Sequence, residues 1–104
     1  MKNKSYKLRY LSLFEQDLIN TVNYIANVLM NEDAAKHLVD EIEAAILKRL
    51  DNPVAFEQYP SVNRRDYPYY RIYVRNYVIY YVVIDDVMEV RRLVYRARDI
   101  DRYL

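Results

Sequence analysis

The feature that most constrains this chain is the alternation of tyrosine and arginine with aliphatic residues along residues 69–98. Side chains two apart in a β-strand lie on the same face of a sheet, so a period of two predicts strands with one apolar face. The pattern divides into three runs joined by two-residue connections, which are typical of tight hairpins. The runs are residues 69–74, 77–84 and 87–98, and the connections are Arg75-Asn76 and Asp85-Asp86. This part of the chain therefore predicts a three-stranded antiparallel meander.

The register of the meander follows if each connection has two residues. Arg71 then lies opposite Tyr80, and Tyr80 lies opposite Arg91. One face presents Arg71, Tyr73, Val78, Tyr80, Glu89, Arg91, Leu93 and Tyr95. The other face presents Tyr70, Ile72, Val74, Ile79, Tyr81, Val83, Met88, Val90 and Val94, together with Arg92. Because unpaired buried arginines would cost several kcal/mol, the aliphatic face is predicted to lie against the rest of the protein.

The first half of the chain predicts a short strand followed by a helix hairpin. Residues 6–10 alternate as a half-buried strand does. Ser12 and Glu15 have the spacing of a capping box, and Asn31 is a candidate N-cap for a second helix. The two apolar stripes are Phe14, Leu18, Val22, Ile25 and Leu29, and then Ala35, Leu38, Val39, Ile42, Ala45, Ile46 and Leu50. Spacings of three and four predict amphipathic helices.

Residues 53–68 contain three prolines and no clear periodicity, which predicts a loop. The expected fold is α+β, in which an N-terminal strand and an antiparallel helix hairpin accompany a small antiparallel β-sheet, with the hairpin packed on one sheet face. With 104 residues and no linker, residues 1–104 are expected to form a single domain.

Composition excludes several classes of site. The chain has no glycine and no cysteine, which excludes glycine-rich phosphate loops, dinucleotide fingerprints, disulfides and thiolate chemistry. With one histidine, His37, no ordinary zinc site is expected, and neither a metal nor a cofactor is predicted. The chain also lacks a secretory signal and a long apolar run, so we expect a cytoplasmic protein that does not bind membranes.

Charge is distributed unevenly along the chain. Residues 64–104 hold nine basic residues, all arginine, against six acids, whereas residues 1–63 hold seven basic residues against nine acids. Arginine binds phosphate or carboxylate through two parallel hydrogen bonds and stacks on aromatic rings. The bias indicates recognition of a polyanion or an acidic partner, although a solvated face with local ion pairs is an equally acceptable interpretation.

The row Arg71, Tyr80 and Arg91 is the strongest candidate for chemistry. Two guanidinium groups beside a phenol are suited to holding a phosphodiester and stabilising charge during RNA cleavage without a metal. The alternative is that these residues pair across strands and only stabilise the sheet. Glu89 is a candidate general base, but an ion pair with a nearby arginine is the simpler expectation. His37 is expected to be an ordinary surface or partly buried residue.

The chain resembles the RelE/ParE superfamily of bacterial toxins from type II toxin-antitoxin modules over residues 6–104. The likeness lies in the element order, the helix pattern around Ala34-Ala35 and Asn52-Pro53, and three C-terminal stretches. These stretches are Tyr70-Arg71-Ile72-Tyr73-Val74, Tyr77-Val78-Ile79-Tyr80-Tyr81 and Arg96-Ala97-Arg98-Asp99. The resemblance implies a toxin that inhibits growth and is neutralised by a cognate antitoxin protein. The residues expected to contact partners are Arg71, Tyr73, Tyr80, Arg91, Leu93, Tyr95 and Arg96.

Two activities are known in this superfamily, and the resemblance allows both. RelE-like members are ribosome-dependent mRNA endonucleases, for which Arg71, Tyr80, Arg91, Arg96 and Arg98 would be the catalytic candidates and the translating ribosome with its mRNA the partner. ParE-like members poison DNA gyrase. A third possibility is a nontoxic remnant that only binds its antitoxin.

Two departures from the RelE pattern favour the ParE-like activity. Val78 stands where RelE-like toxins place an arginine on the central strand, and Tyr103 lies two residues later than the terminal tyrosine of that group. A formal net charge of +1 also argues against binding ribosomal RNA, because such attraction grows with the number of phosphates neutralised. The sequence therefore favours a gyrase poison slightly over a nuclease.

Overall fold

The computed structural model describes residues 5–60 and 67–96. The elements in chain order are β1 (Lys7–Tyr10), α1 (Ser12–Asn23), a π-helical turn (Tyr24–Val28), α2 (Glu32–Arg49), β2 (Tyr70–Val74), β3 (Tyr77–Ile84) and β4 (Val87–Tyr95). The four strands form one sheet in the order β1-β4-β3-β2. The predicted α+β architecture and the C-terminal meander are confirmed.

The sheet is mixed, however, rather than wholly antiparallel as expected. β1 pairs with β4 in parallel, with Lys7 opposite Val87 and Tyr10 opposite Val90. Alternation within residues 6–10 predicts that a strand forms there, but it carries no information about which neighbour the strand pairs with or in which direction.

The main core lies between the helices and one face of the sheet. Its buried residues include Phe14 from α1, Ile42 and Ile46 from α2, and Ile79 and Met88 from the sheet. A second, smaller cluster covers part of the opposite face and consists of Tyr69, Val78, Tyr80, Val82 and Val94, with Tyr59 and Ile84 packed against it. We call that opposite face the outer face. Among the described residues, no helix is long and apolar enough to cross a membrane.

The start of α2 agrees with the sequence prediction, but the start of α1 does not. Asn31 is the N-cap of α2, and its Oδ1 accepts a hydrogen bond from the Ala34 amide at 3.0 Å. At α1 the cap is Leu11, with no side-chain cap bond, so the predicted capping box of Ser12 and Glu15 is wrong. Ser12 is already helical, and the Glu15 amide donates to the Leu11 carbonyl at 3.1 Å.

The π-helical turn after α1 changes which residues the hairpin exposes. Its closing bond runs from the Leu29 amide to the Tyr24 carbonyl at 3.0 Å, five residues apart. Such a turn holds one more residue than an α-helical turn and therefore rotates the residues that follow. Leu29, predicted to continue the apolar stripe of α1, is 56% exposed beside the 81% exposed Met30. The tip of the hairpin is consequently apolar and accessible.

The two tight turns of the meander form without glycine. Val74 lies opposite Tyr77, and Ile84 opposite Val87, as predicted. The left-handed conformation falls on Arg75 (φ 53°) and on Asp85 (φ 55°). Asparagine and aspartate adopt this region more readily than arginine. In the first turn, Asn76 would therefore have been the more favourable residue for the left-handed conformation, which Arg75 adopts instead. The Arg75 guanidinium forms two hydrogen bonds with the Glu41 carboxylate, 2.6 and 2.8 Å long, which join this turn to α2.

A second connection between α2 and the sheet is built on Arg49, the last residue of α2. Its Nη1 donates to the Tyr81 hydroxyl at 2.9 Å and to the Arg71 carbonyl at 3.1 Å, and its guanidinium stacks 3.5 Å above the Phe56 ring. The Tyr81 hydroxyl donates in turn to the Pro53 carbonyl at 2.7 Å. Burial raises the pKa of the Tyr81 phenol, against the smaller lowering effect of Arg49, so the phenol keeps the proton that it donates. Arg49 thus holds the segment after α2 against the edge strand β2.

We expect Tyr81→Phe to lower the free energy of unfolding by about 1–3 kcal/mol, because the buried Pro53 carbonyl and Arg49 Nη1 each lose a partner. Urea unfolding followed by circular dichroism measures this change. Tyr73→Phe is the matched control, since Tyr73 is 53% exposed and surface substitutions usually change stability by no more than about 0.5 kcal/mol. Equal midpoints for the two variants would contradict the structural role of the Tyr81 hydroxyl.

Candidate partner-binding face

A β-bulge in β4 decides which side chains the outer face presents. Tyr81 lies opposite Val90, but the next pair along the ladder is Tyr80 with Arg92, so Arg91 is the extra residue of the bulge. The predicted pairing of Tyr80 with Arg91 is therefore wrong, whereas that of Arg71 with Tyr80 is confirmed. A bulge of one residue reverses the alternation of the strand beyond it.

Three predicted face assignments change because of this bulge. Leu93, expected on the outer face, is buried in the main core, and Val94, expected beneath the helices, belongs to the outer-face cluster. Tyr95, also expected on the outer face, packs edge-on against Tyr77, with ring centroids 5.7 Å apart. Leu93 and Tyr95 therefore do not lie beside Arg71 as the sequence prediction placed them.

The bulge is stabilised from α1 by Asp17. Its carboxylate accepts hydrogen bonds from Arg92 Nε at 2.8 Å, from Arg92 Nη2 at 2.9 Å and from the Leu93 amide at 3.0 Å. The two side chains of this ion pair are only 18% and 16% exposed. Arg92 was predicted on the helix side of the sheet, and its contact with α1 agrees with that placement.

Tyr80, the central phenol of the predicted site, is buried on the outer face. It is 2% exposed, and the rings of Tyr59 and Tyr69 meet it edge-on at centroid distances of 5.5 and 6.4 Å. These two tyrosines come from the segment before β2, which is held in place by a hydrogen bond from the Tyr59 amide to the Tyr69 carbonyl at 2.6 Å. The expectation that Tyr80 is a surface residue is wrong.

Arg91 is engaged by an acid and a phenol. Its Nε donates to Glu89 Oε2 at 2.7 Å, and its Nη1 donates to the Tyr69 hydroxyl at 3.3 Å. The other carboxylate oxygen, Glu89 Oε1, accepts from Arg9 Nε at 2.9 Å and pairs with Arg9 Nη2 at 2.8 Å. This trio confirms the expectation that Glu89 forms an ion pair with a neighbouring arginine.

The protonation state of Glu89 follows from these contacts. Burial opposes ionisation of its carboxyl group, but the hydrogen bonds and charges of Arg91 and Arg9 outweigh burial and hold the pKa below its ordinary value of 4.5. Glu89 is therefore a carboxylate at neutral pH, and its single negative charge offsets part of the positive charge of Arg9 and Arg91.

A different group of outer-face residues remains accessible, and we call it the Arg71–Tyr73–Arg96 cluster. The guanidinium carbon of Arg71 lies 5.7 Å from the centroid of the Tyr73 ring, and that of Arg96 lies 4.9 Å from the same centroid. Arg71 also lies 5.3 Å from the Tyr59 ring centroid. Tyr73 is 53% exposed, Arg71 is half-buried and Arg96 is exposed. The cluster combines two cations with an accessible aromatic surface.

A groove of about 1070 Å³ lies on the helix side of the sheet, between the hairpin tip and the ends of β3 and β4. Its lining includes Tyr24, Leu29, His37, Tyr77 and Tyr95. Burial, followed by the neighbouring phenols of Tyr95 and Tyr24, raises the pKa of Tyr77. No feature of the sequence pattern predicted this groove, because it depends on the rotation at the π-helical turn and on the β-bulge.

Some predicted residues are not described. Arg98 and Tyr103 lie outside the described residues, as do Arg64 and Arg65 of the loop. Within residues 5–60 and 67–96, no three histidine, aspartate or glutamate side chains are grouped so as to hold a metal ion. The sequence analysis missed two residues of the outer face. Arg9 pairs with Glu89, and the ring of Tyr59 lies beside Arg71. Neither residue belongs to the C-terminal alternating pattern.

Comparison with known proteins gives a family and a fold. The family model for the ParE toxin of the type II toxin-antitoxin system parDE matches residues 8–100. No curated protein sequence matches the chain significantly. Among solved structures, the chromosomal ParDE toxin-antitoxin system from P. aeruginosa matches with a TM-score of 0.74 and 13% identity, over 88% of this chain and 97% of that chain.

Two further complexes are similar in fold. The DinJ-YafQ toxin-antitoxin complex of E. coli matches with a TM-score of 0.56 and 10% identity over 89% of this chain and 94% of that chain. The RelB-RelE antitoxin-toxin complex from Methanococcus jannaschii matches with a TM-score of 0.52 and 23% identity over 92% of this chain and 99% of that chain. At these identities the structural likeness concerns the fold alone. The family match, in contrast, spans most of the sequence, and the chain belongs to the ParE toxin family of type II toxin-antitoxin systems.

Proposed function

We propose that this chain acts as a growth-inhibiting toxin that binds DNA gyrase, does not cleave RNA, and is neutralised by a cognate antitoxin. Membership of the ParE toxin family supports the toxin role. The observation that carries the choice of target is the burial of Tyr80, because this phenol would have to reach the scissile phosphate if the arginine–tyrosine row were a nuclease site.

The rest of the row also argues against RNA cleavage. Arg91 is bound to Glu89 and Tyr69, so its charge is already partly offset by a carboxylate that it shares with Arg9. Val78, where a RelE-like nuclease would have a cation, is 3% exposed, and an aliphatic side chain cannot stabilise charge that develops on phosphorus. These contacts support a toxin that acts by binding its target.

Purified toxin is expected to stabilise cleaved DNA when it is added in excess to gyrase and relaxed plasmid. The measurement is the amount of linear DNA after protein digestion, together with the loss of supercoiled product. Toxin saturated with its antitoxin is the control and should leave supercoiling intact. Normal supercoiling in the presence of excess free toxin, with no linear DNA, would contradict gyrase as the target.

A RelE-like mRNA endonuclease is the second candidate, and the accessible Arg71 and Arg96 are the observation in its favour. In that case primer extension on translated messages would show toxin-dependent breaks that disappear in Arg71→Ala. Intact messages during growth arrest would reject this candidate. If expression without antitoxin does not slow growth at all, the chain is instead a nontoxic protein that only binds its antitoxin.

A further inference from the structure

We propose that the Arg71–Tyr73–Arg96 cluster is the site at which the protein binds an acidic segment of its antitoxin. This inference rests on the proposed function in one respect, namely that an antitoxin partner exists. The proposed binding site is one part of the outer face. It includes neither the buried Tyr80 nor the ion pairs of Glu89.

The first argument is the distribution of carboxylate partners among the arginines on and around the sheet. Four of them are paired: Arg9 and Arg91 with Glu89, Arg75 with Glu41, and Arg92 with Asp17. Within the part of the chain that the structure describes, neither Arg71 nor Arg96 has an ion pair with a carboxylate. Their guanidinium groups instead lie against the aromatic rings of Tyr59 and Tyr73. Among the described arginines of the sheet and its turns, these two are therefore the ones without a carboxylate partner.

The second argument is the closeness of these two charges. Both guanidinium groups lie against one ring, that of Tyr73, at 5.7 and 4.9 Å from its centroid. The ring face attracts each cation, but two like charges held near one ring repel each other. A carboxylate bound beside this ring would offset the positive charge and accept hydrogen bonds from a guanidinium group. The arrangement is thus suited to bind an anion.

The third argument concerns the kind of anion. Affinity for a nucleic acid grows with the number of phosphates that cations neutralise, and the other outer-face arginines, Arg9 and Arg91, already share Glu89. Two guanidinium groups without a carboxylate partner among the described residues give little affinity for a long polyanion. They are sufficient for one or two carboxylates of a peptide, and the exposed Tyr73 ring adds an apolar surface of the kind that protein interfaces favour. The chemistry therefore favours an acidic polypeptide over RNA or DNA.

The test measures the affinity of purified antitoxin for four toxins, namely wild type, Arg71→Gln, Arg96→Gln and the double variant, by isothermal titration calorimetry. Each single change is expected to weaken binding about 10-fold and the double change about 100-fold, because charge-assisted hydrogen bonds are lost. Arg75→Gln is the control: Arg75 is an exposed arginine already paired with Glu41, and its loss should leave the affinity unchanged. Thermal unfolding of each variant checks that the fold is retained.

The outcomes separate this inference from the proposed function. If wild-type toxin binds antitoxin and the double variant binds it equally well, the site assignment is wrong while the toxin assignment stands. If wild-type toxin does not bind antitoxin, the proposed function and the inference both fail. A short single-stranded RNA serves as a second probe: loss of RNA binding with unchanged antitoxin binding in the double variant would assign the cluster to nucleic acid and overturn the proposal.

Discussion

Asp17→Asn is expected to destabilise the protein by about 2–4 kcal/mol, because removing one partner of a largely buried ion pair leaves the other charge without compensation. The carboxylate of Asp17 binds both Arg92 and the Leu93 amide, so its loss weakens the contact of α1 with the bulge of β4. An amide side chain keeps the shape of Asp17 but provides one oxygen instead of two and no charge. Urea unfolding of the two proteins measures the difference.

Two controls make this prediction specific. Glu41→Gln removes the carboxylate of an exposed ion pair with Arg75 and should hardly move the unfolding midpoint, since exposed pairs are screened by water. The double variant Asp17→Leu with Arg92→Met should recover much of the lost stability, because apolar residues of similar volume often replace a buried ion pair at little cost. If the Asp17→Asn and Glu41→Gln variants had the same unfolding midpoint, the ion pair of Asp17 with Arg92 would contribute little to stability.

Glu89→Gln is expected to cost about 2–3 kcal/mol at neutral pH, because Arg9 and Arg91 lose the carboxylate that binds both of them. The pH dependence gives the sharper result. The folded-state pKa of Glu89 lies below the ordinary value of 4.5, so its ionised form is bound more favourably in the folded protein than in the unfolded chain. The stabilisation is then complete above pH 4.5 and is lost as the pH falls through the folded-state pKa.

The difference in unfolding free energy between wild type and Glu89→Gln should therefore stay constant from neutral pH down to about pH 5 and shrink below pH 4.5. Urea titrations at a series of pH values measure it. Glu41→Gln is again the comparison, this time for an exposed carboxylate. A difference that does not change with pH would mean that the ionised carboxylate of Glu89 has no special stabilising role.

Local patterns predicted most of the secondary structure correctly. The alternation after residue 69 predicted the three strands and both tight turns, and the apolar stripe of α2 matches the buried Ala35, Leu38, Ile42 and Ile46. These signals depend on residues close in sequence, whose preferences follow directly from the periods of helices and strands. The candidate site was predicted less well: among its described residues, Arg71, Tyr73 and Arg96 are the ones that remain together as an accessible group.

Two of the failures share one physical origin, which is an extra residue in a regular element. The π-helical turn rotates Leu29 away from the core, and the bulge after Val90 exchanges the faces of Leu93 and Val94. The bulge makes a contact with a residue far away in the chain, namely the hydrogen bond from the Leu93 amide to Asp17. The alternation of residues within a strand does not predict such contacts with distant residues.

The sequence by itself determined the α+β class, the order of the elements and the concentration of arginine in the C-terminal part. Those properties come from side-chain type and local spacing. Only the tertiary structure decided that Tyr80 is buried under Tyr59 and Tyr69 and that Arg71 and Arg96 meet at Tyr73. It also decided which described arginines are paired with acids, namely Arg9, Arg75, Arg91 and Arg92. These outcomes depend on which distant side chains share the same space, and the energies of burial and ion pairing are set by that arrangement.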